Sequence, residues 1–217
     1  MIALWWQLIT VTKLSEWFKV FFDKLYYETY KPFESEERNR AEAEFIANAL
    51  DLPTGSRLLD LGCGYGRHAV YLAKKGFKVT CFDLSDYLLN MARERVREFG
   101  VDDFVEVVKG DMRELSFHEE FDGIYMFYTT FGYFSDEDNE KVIKGISRAL
   151  KKGGRFLLDI WNPILLAFRA YVYGGKLDTW YEVGNYVILE SITYDFDDGH
   201  VKSKRILLAK NTYELVA

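Results

Sequence analysis

The sequence predicts an α/β fold: a doubly wound, mainly parallel sheet with helices on both faces. Two observations predict it. From about residue 57 to residue 160, short β-branched or apolar runs alternate with longer segments of helical periodicity. That alternation is the signature of βαβ units with right-handed crossovers. At the first strand-to-helix junction stand Gly62, Gly64 and Gly66, residues without a Cβ where backbone must approach a ligand closely. Composition agrees. A chain of 217 residues, 49% hydrophobic and 29% charged, can bury its own core, and this composition excludes a disordered or collagen-like protein.

The elements follow in order. Met1-Ile2-Ala3-Leu4-Trp5-Trp6 is apolar, but no basic segment precedes it. Its uncharged run ends at Lys13, too short for a spanning helix of about 20 residues. No membrane attachment and a cytoplasmic location are therefore expected. Leu14, Trp17, Phe21 and Leu25 recur at helical spacing, which predicts an amphipathic helix over 13–27. A second helix is expected after Ser35, with Glu36 and Glu37 in its first turn, running through Phe45, Ile46 and Ala49 until Pro53 and Gly55 stop it. Arg57–Leu61, Phe77–Phe82, Phe104–Val108, Gly123–Phe127 and Arg155–Ile160 read as five buried strands. Between them lie helices carrying Ala69, Val70, Leu72 and Ala73, then Leu88, Leu89, Ala92, Val96 and Phe99, then Val142, Ile143, Ile146, Ala149 and Leu150. Gly153-Gly154 is expected to turn the chain into the fifth strand.

After Pro163 the rhythm changes. Segments 179–183, 186–195 and 200–210 are rich in β-branched and aromatic residues, and Asp197-Asp198-Gly199 is a hairpin signal. An antiparallel ribbon over one end of the parallel sheet is expected. The organisation predicted is thus an N-terminal helical lid at 1–34, a ligand-binding core at 35–163 and an antiparallel β extension at 164–217, covering the substrate.

The glycine turn reads Asp60-Leu61-Gly62-Cys63-Gly64-Tyr65-Gly66-Arg67. A dinucleotide loop spaces its glycines G-x-G-x-x-G, whereas here the third comes one residue early, and no Gly-Lys-Ser/Thr follows to make a phosphate cradle. Asp83 ends the second strand about 20 residues further on, where a ribose-binding carboxylate belongs in a doubly wound fold. The same glycines would also serve tight strand–helix packing, and Asp83 would also serve as a cap for the helix entered at Ser85-Asp86.

Five motifs in order resemble the class I S-adenosylmethionine-dependent methyltransferases of small-molecule type, with a Rossmann-like core over residues 35–163. They are Asp60–Gly66, Phe82-Asp83-Leu84-Ser85, Gly110-Asp111-Met112, Phe121–Phe134 and Leu150–Phe156. The resemblance implies S-adenosylmethionine as cofactor. Gly62 and Gly64 would bring main chain against its methionine part, and Asp60 would orient the amino group. Asp83 would accept the ribose hydroxyls. Leu84 and Met112 would sandwich the adenine, and Asp111 would accept from its amine. The main chain of Phe127 would lie by the methionine amino group, and Arg67 would meet the carboxylate.

No general base is singled out, because aligning a nucleophile with an already activated methyl group is itself a large part of the catalysis. Were the acceptor to lose a proton, Tyr128, Tyr133 and His68 would be the candidates. Aromatic residues in 128–134, with Tyr26, Tyr27 and Tyr30, would line the lid, where ring faces attract a cation. His68, His118 and His200 match no metal-ligand spacing, so no metal is expected. Cys63 and Cys81 read as buried free thiols. The expected partner is a small-molecule methyl acceptor. A net charge of −6 and the lack of an Asn/Asp-Pro-Pro-aromatic tetrapeptide after strand four argue against RNA or DNA. A module that binds the cofactor without catalysis is the other alternative. Members of the resembled family finish their sheet with two further strands, for which the residues after Pro163 are too few. An open edge at strand five, closed by a homodimer, is the expectation, a shortened gene product with part of the usual domain missing being the rival explanation.

Overall fold

The computed structural model describes residues 16–197 and 199–216. The apolar N-terminal run, Leu14 of the first helix and Asp198 of the hairpin signal lie outside them. Five strands form one sheet: β1 (Arg57–Leu61), β2 (Lys78–Asp83), β3 (Val105–Lys109), β4 (Phe121–Met126) and β5 (Leu150–Leu158). Their order is β3-β2-β1-β4-β5, and every neighbouring pair is parallel.

Alternation along each strand divides the core into two layers. Leu58 points to the side covered by helices Glu36–Leu50, Ala69–Lys74 and Asp86–Phe99, against Ile46, Leu72, Leu89 and Val96. In chain order these are α3, α4 and α5; α1 and α2 precede them. Leu59 and Leu61 point to the other side, where α6 (Asp136–Ala149) presents Val142, Ile146 and Ala149. Each buried Val, Leu or Ile side chain among them contributes about 1.5–3 kcal/mol. Ser35, Ser85 and Ser135 cap α3, α5 and α6 through their side-chain oxygens, which satisfies one orphan N–H apiece. Gly153-Gly154 does not turn the chain into β5. The strand starts at Leu150, the register slips between Phe121 and Gly123, and Gly153 sits inside it at φ +79°, as a bulge requires.

The first helix differs from its expectation. It is two short helices, α1 (Trp17–Phe21) and α2 (Lys24–Tyr30), broken at Phe22-Asp23. Asp23 leaves the helical conformation, and its carboxylate accepts a hydrogen bond from Ser85 Oγ at 3.3 Å. The break also changes the buried face: Phe18 is buried and Trp17 exposed.

After α7 (Pro163–Val172), strands β6 (Lys176–Val183), β7 (Tyr186–Tyr194) and β8 (Val201–Ala209) form a separate antiparallel sheet in the order β6-β7-β8. It packs on α2 rather than directly on the parallel sheet. Val183, Ile188 and Leu207 enclose Leu25, Tyr181 and Tyr186. Arg205 donates from Nη1 to the Tyr30 hydroxyl at 2.9 Å and from Nη2 to Glu190 at 2.8 Å, and the Tyr186 hydroxyl donates to Glu28. Through α2, the sequence-distant sheet is tied to the helices above the parallel strands. No helix among the described residues is long and apolar enough to cross a membrane.

Candidate functional site

A cleft of about 450 Å³ lies at the carboxyl ends of β1, β2, β3 and β4, at the point where the strand order reverses between β1 and β4. The structure brings all eight sequence-predicted residues to its lining: Asp60, Gly62, Gly64, Asp83, Leu84, Asp111, Met112 and Phe127. Arg67, His68, Tyr128 and Tyr133 line it too, whereas His118 and His200 do not. Among the described residues no three of His, Cys, Asp and Glu are grouped to hold a metal ion.

The floor is built by main chain and carboxylates. Gly62 and Cys63 both donate to the Phe82 carbonyl, at 2.8 and 3.2 Å, which seats the glycine turn on the end of β2. Gly62 has φ +78°, and a Cβ there would stand 2.1 Å from Thr130 Cγ2. Gly64 has φ +56° and nothing within 4 Å of a Cβ, so the cleft passes over its main chain. Asp83 holds the turn in shape, accepting from Gly64 N at 2.8 Å and Ser85 N at 3.0 Å. It is therefore a helix-entry residue, with carboxylate lone pairs left over for a ligand. Burial raises its pKa against backbone bonds from Ser85, Gly64 and Leu84.

Asp60 is buried, and neither its Oδ2 nor the Tyr125 phenol has a hydrogen-bond partner among the described residues, although the phenol lies near enough to the carboxyl to favour its ionised form. Burial pushes this carboxyl up to about 7. Asp111 is gripped by Arg113, Nη2 to Oδ2 at 2.6 Å and Nε to Oδ1 at 3.0 Å, and is lowered by that bond. A ligand amine would have to share it. The Phe127 carbonyl accepts from Thr130 Oγ1 at 2.6 Å. An unpartnered buried carboxylate oxygen, a glycine with open space above it and the apolar pair Leu84 and Met112 suit a ligand with an ammonium end and an apolar, planar end.

Beside the floor lies a buried polar network that nothing in the sequence singles out, because Glu34, Asn39 and Glu42 belong to no motif. Arg67 Nη1 donates to Asn39 Oδ1 at 3.1 Å and Glu42 Oε2 at 2.7 Å, while its Nη2 is buried without a partner among the described residues. His68 Nε2 lies 2.9 Å from Glu42 Oε2. Burial would raise Glu42, but hydrogen bonds from His68 and Arg38 and the Arg67 charge bring it down to about 2. Burial lowers His68 to about 4, so at neutral pH it is a neutral ring donating to an ionised Glu42.

The roof is aromatic. Phe18, Phe22 and Tyr26 descend from α1 and α2, and Tyr128, Tyr133 and Phe134 come from the loop after β4. Phe22 packs on Tyr133 at 4.8 Å between centroids and Phe18 on Phe134 at 5.1 Å. Tyr26 stacks on Tyr30 at 4.6 Å, and Tyr27 meets Tyr65 edge-on. The loop is strained: Tyr128 and Thr129 have φ +67° and +58°, conformations costing of order 1–3 kcal/mol each. Asp159 holds both, accepting from Tyr128 N at its carboxylate (2.9 Å) and from Thr129 N at its carbonyl (3.0 Å). Cys63 and Cys81 are buried free thiols, and burial pushes Cys63 well up.

Comparison with known proteins adds chemistry to this geometry. Residues 58–154 match the family model described as a methyltransferase domain. A cypemycin N-terminal methyltransferase from Streptomyces is 39% identical over 111 residues, covering 50% of this chain and 43% of that protein. An S-adenosyl-L-methionine-dependent Diels-Alderase, iccD, from Talaromyces variabilis is 35% identical over 133 residues, covering 60% of this chain and 44% of that protein. These matches span less than half the length of either relative. A crystal structure of an S-adenosylmethionine-dependent methyltransferase from Clostridium acetobutylicum has the same fold. It aligns at TM-score 0.65 and 22% identity, covering 88% of this chain and 75% of that one.

Proposed function

Residues 58–154 belong to the class I S-adenosylmethionine-dependent methyltransferases, and from that premise we propose that the chain transfers a methyl group to a small-molecule acceptor. One observation supports the reading above others. A single cleft has a floor of glycine main chain and carboxylates and a roof of aromatic rings, so cofactor and acceptor each have a chemically distinct wall. On this reading Asp60 orients the methionine ammonium and Asp83 takes the ribose hydroxyls. Leu84 and Met112 flank the adenine, while Asp111 and the Phe127 main chain complete the edge. S-adenosylmethionine, when bound, supplies a methyl group on a sulfonium; the acceptor lone pair forms the new bond to carbon, and the old bonding pair stays on sulfur as a thioether.

The chain's own residues align and shield. The rings of Phe18, Phe22 and Tyr133 keep water from the reacting side, where alignment alone lowers a barrier by about 7–11 kcal/mol. His68, neutral and directed at Glu42, helps to hold the wall of the cleft. Phe18, Phe22 and Tyr26 from the N-terminal helices serve as cover, and the sheet after residue 163 acts on that cover indirectly, through Arg205 and Tyr30.

Incubation with methyl-labelled cofactor and a metabolite pool tests this reading. The expected result is a labelled small molecule with stoichiometric S-adenosylhomocysteine. The Diels-Alderase relative favours one other reading, a ring closure in the same cleft that leaves the cofactor unconsumed. Acceptor conversion without S-adenosylhomocysteine would establish that instead.

A further inference from the structure

The roof has a chemistry that the cofactor reading does not use. Tyr26 and Tyr133 both line the cleft, and neither hydroxyl has a hydrogen-bond partner among the described residues. Burial drives both phenols well above their ordinary ionisation range, and Tyr133 is close enough to raise Tyr26 further. They stay protonated, and each oxygen is free to accept a hydrogen bond.

The charges around them are sorted. Three cations line the cleft, Lys19, Arg67 and Lys109, and each is already matched by a carboxylate. Lys19 meets Glu16 at 2.6 Å, Arg67 meets Glu42 at 2.7 Å with Glu34 at 3.9 Å, and Lys109 meets Asp86. Arg67 keeps one buried donor, Nη2, but its charge is already met by Glu42 and Glu34, so an anionic acceptor would add negative charge to a cluster with no surplus positive charge. A nitrogen acceptor meets the opposite conditions. Its N–H groups have phenol oxygens to bond, and ring faces favour the positive charge that nitrogen takes on when alkylated.

Resting on the reading that the cleft floor takes the cofactor, we infer that the acceptor is an organic amine, held by the hydroxyls of Tyr26 and Tyr133 against the ring of Phe22, the Tyr128 ring being already occupied by Arg67 at 4.7 Å. The position of Tyr26 is set from outside the cleft. It stacks on Tyr30, whose hydroxyl is fixed by Arg205 of β8, so the antiparallel sheet positions the amine-binding roof.

The test uses binding rather than turnover. The full chain, with and without saturating S-adenosylhomocysteine, is titrated calorimetrically with benzylamine, benzyltrimethylammonium, benzoate and benzyl alcohol. Both cations are expected to bind about tenfold or more tightly than benzoate and benzyl alcohol. Tyr26→Phe and Tyr133→Phe, which keep the rings and the fold, should each weaken benzylamine roughly three- to tenfold. Neither should shift S-adenosylhomocysteine affinity by more than about twofold, within the error of independent sites. Benzoate binding as tightly as benzylamine, none of the four probes binding, or both variants binding benzylamine like the parent would each overturn the inference. Failure of S-adenosylhomocysteine to bind would instead count against the cofactor reading, and the titrations without it would still judge the amine site.

Discussion

The two sheets of this protein are built on opposite terms. In the parallel sheet, β1 is buried from Leu58 to Leu61 and is walled by helices on both faces. In the antiparallel sheet, β6 is exposed over most of its length, and the core shrinks to Val183, Ile188 and Leu207 against α2. The first sheet makes a floor whose shape is fixed by main chain. The second has no strand in the cleft and acts through side chains, Arg205 on Tyr30 and Tyr30 on Tyr26. The difference teaches that the cleft floor depends on global folding, whereas the position of its aromatic roof depends on a small satellite core, the kind of unit that local unfolding reaches at lower free energy.

Truncating one buried side chain in each sheet breaks the comparison most directly. Leu59→Ala, wholly buried between β-strands and α6, should destabilise the whole chain by about 2–5 kcal/mol. Ile188→Ala, equally buried in the small core, should loosen the antiparallel sheet and α2 while cofactor affinity holds. Hydrogen exchange and a cofactor titration on both variants separate the outcomes. A global loss of protection in Ile188→Ala would mean that the two sheets fold as one unit.

Gly62→Ala comes next. It places a non-glycine residue at φ +78° with its Cβ against Thr130, and should cost at least about 2 kcal/mol. Gly64→Ala has only the backbone penalty of about 1–2 kcal/mol, because its Cβ meets nothing. Its effect should appear in cofactor affinity more than in Tm. Equal losses of stability in the two variants would contradict the geometry of the turn. Asp83→Ala should weaken cofactor binding by about 1–3 kcal/mol, with some loss of stability, since Gly64 N and Ser85 N lose their acceptor.

A further effect is one of pH. Burial holds Asp60 near 7 in the folded chain, against an ordinary value of 3.8. Between those two values the folded state keeps a proton that the unfolded state has released. Stability from this group therefore falls as pH rises toward about 7 and is level above it. The cofactor ammonium favours the ionised carboxylate, so affinity should drop up to about tenfold per pH unit below 7. Asp60→Asn should flatten both profiles, read by thermal melting and titration across pH 5–9. A pH-independent affinity in the parent would show that Asp60 is already ionised there.

How much of this was legible in the sequence follows the same division. The parallel sheet was readable because buried strands and amphipathic helices differ in period, and because serine caps and strand-end glycines mark the boundaries. The eight floor residues lay within ordered motifs. The first helix misled because the spacing of Leu14, Trp17, Phe21 and Leu25 continues across Phe22-Asp23, where the helix is interrupted and Asp23 accepts a tertiary bond from Ser85. The placement of the antiparallel sheet was not legible, since Leu25, Glu28 and Tyr30 recognise partners more than 150 residues away. The Glu34, Asn39 and Glu42 network was hidden for the same reason: its members meet Arg67 only in three dimensions.

The central claim is that the strand-end cleft takes S-adenosylmethionine, and calorimetric titration of the intact chain with that cofactor tests it most directly. The account predicts saturable one-to-one binding accompanied by a rise in Tm, as mass action requires of a ligand selective for the folded state. No heat and no Tm shift at about 1 mM cofactor, a concentration equivalent to only about 4 kcal/mol of affinity, would contradict it.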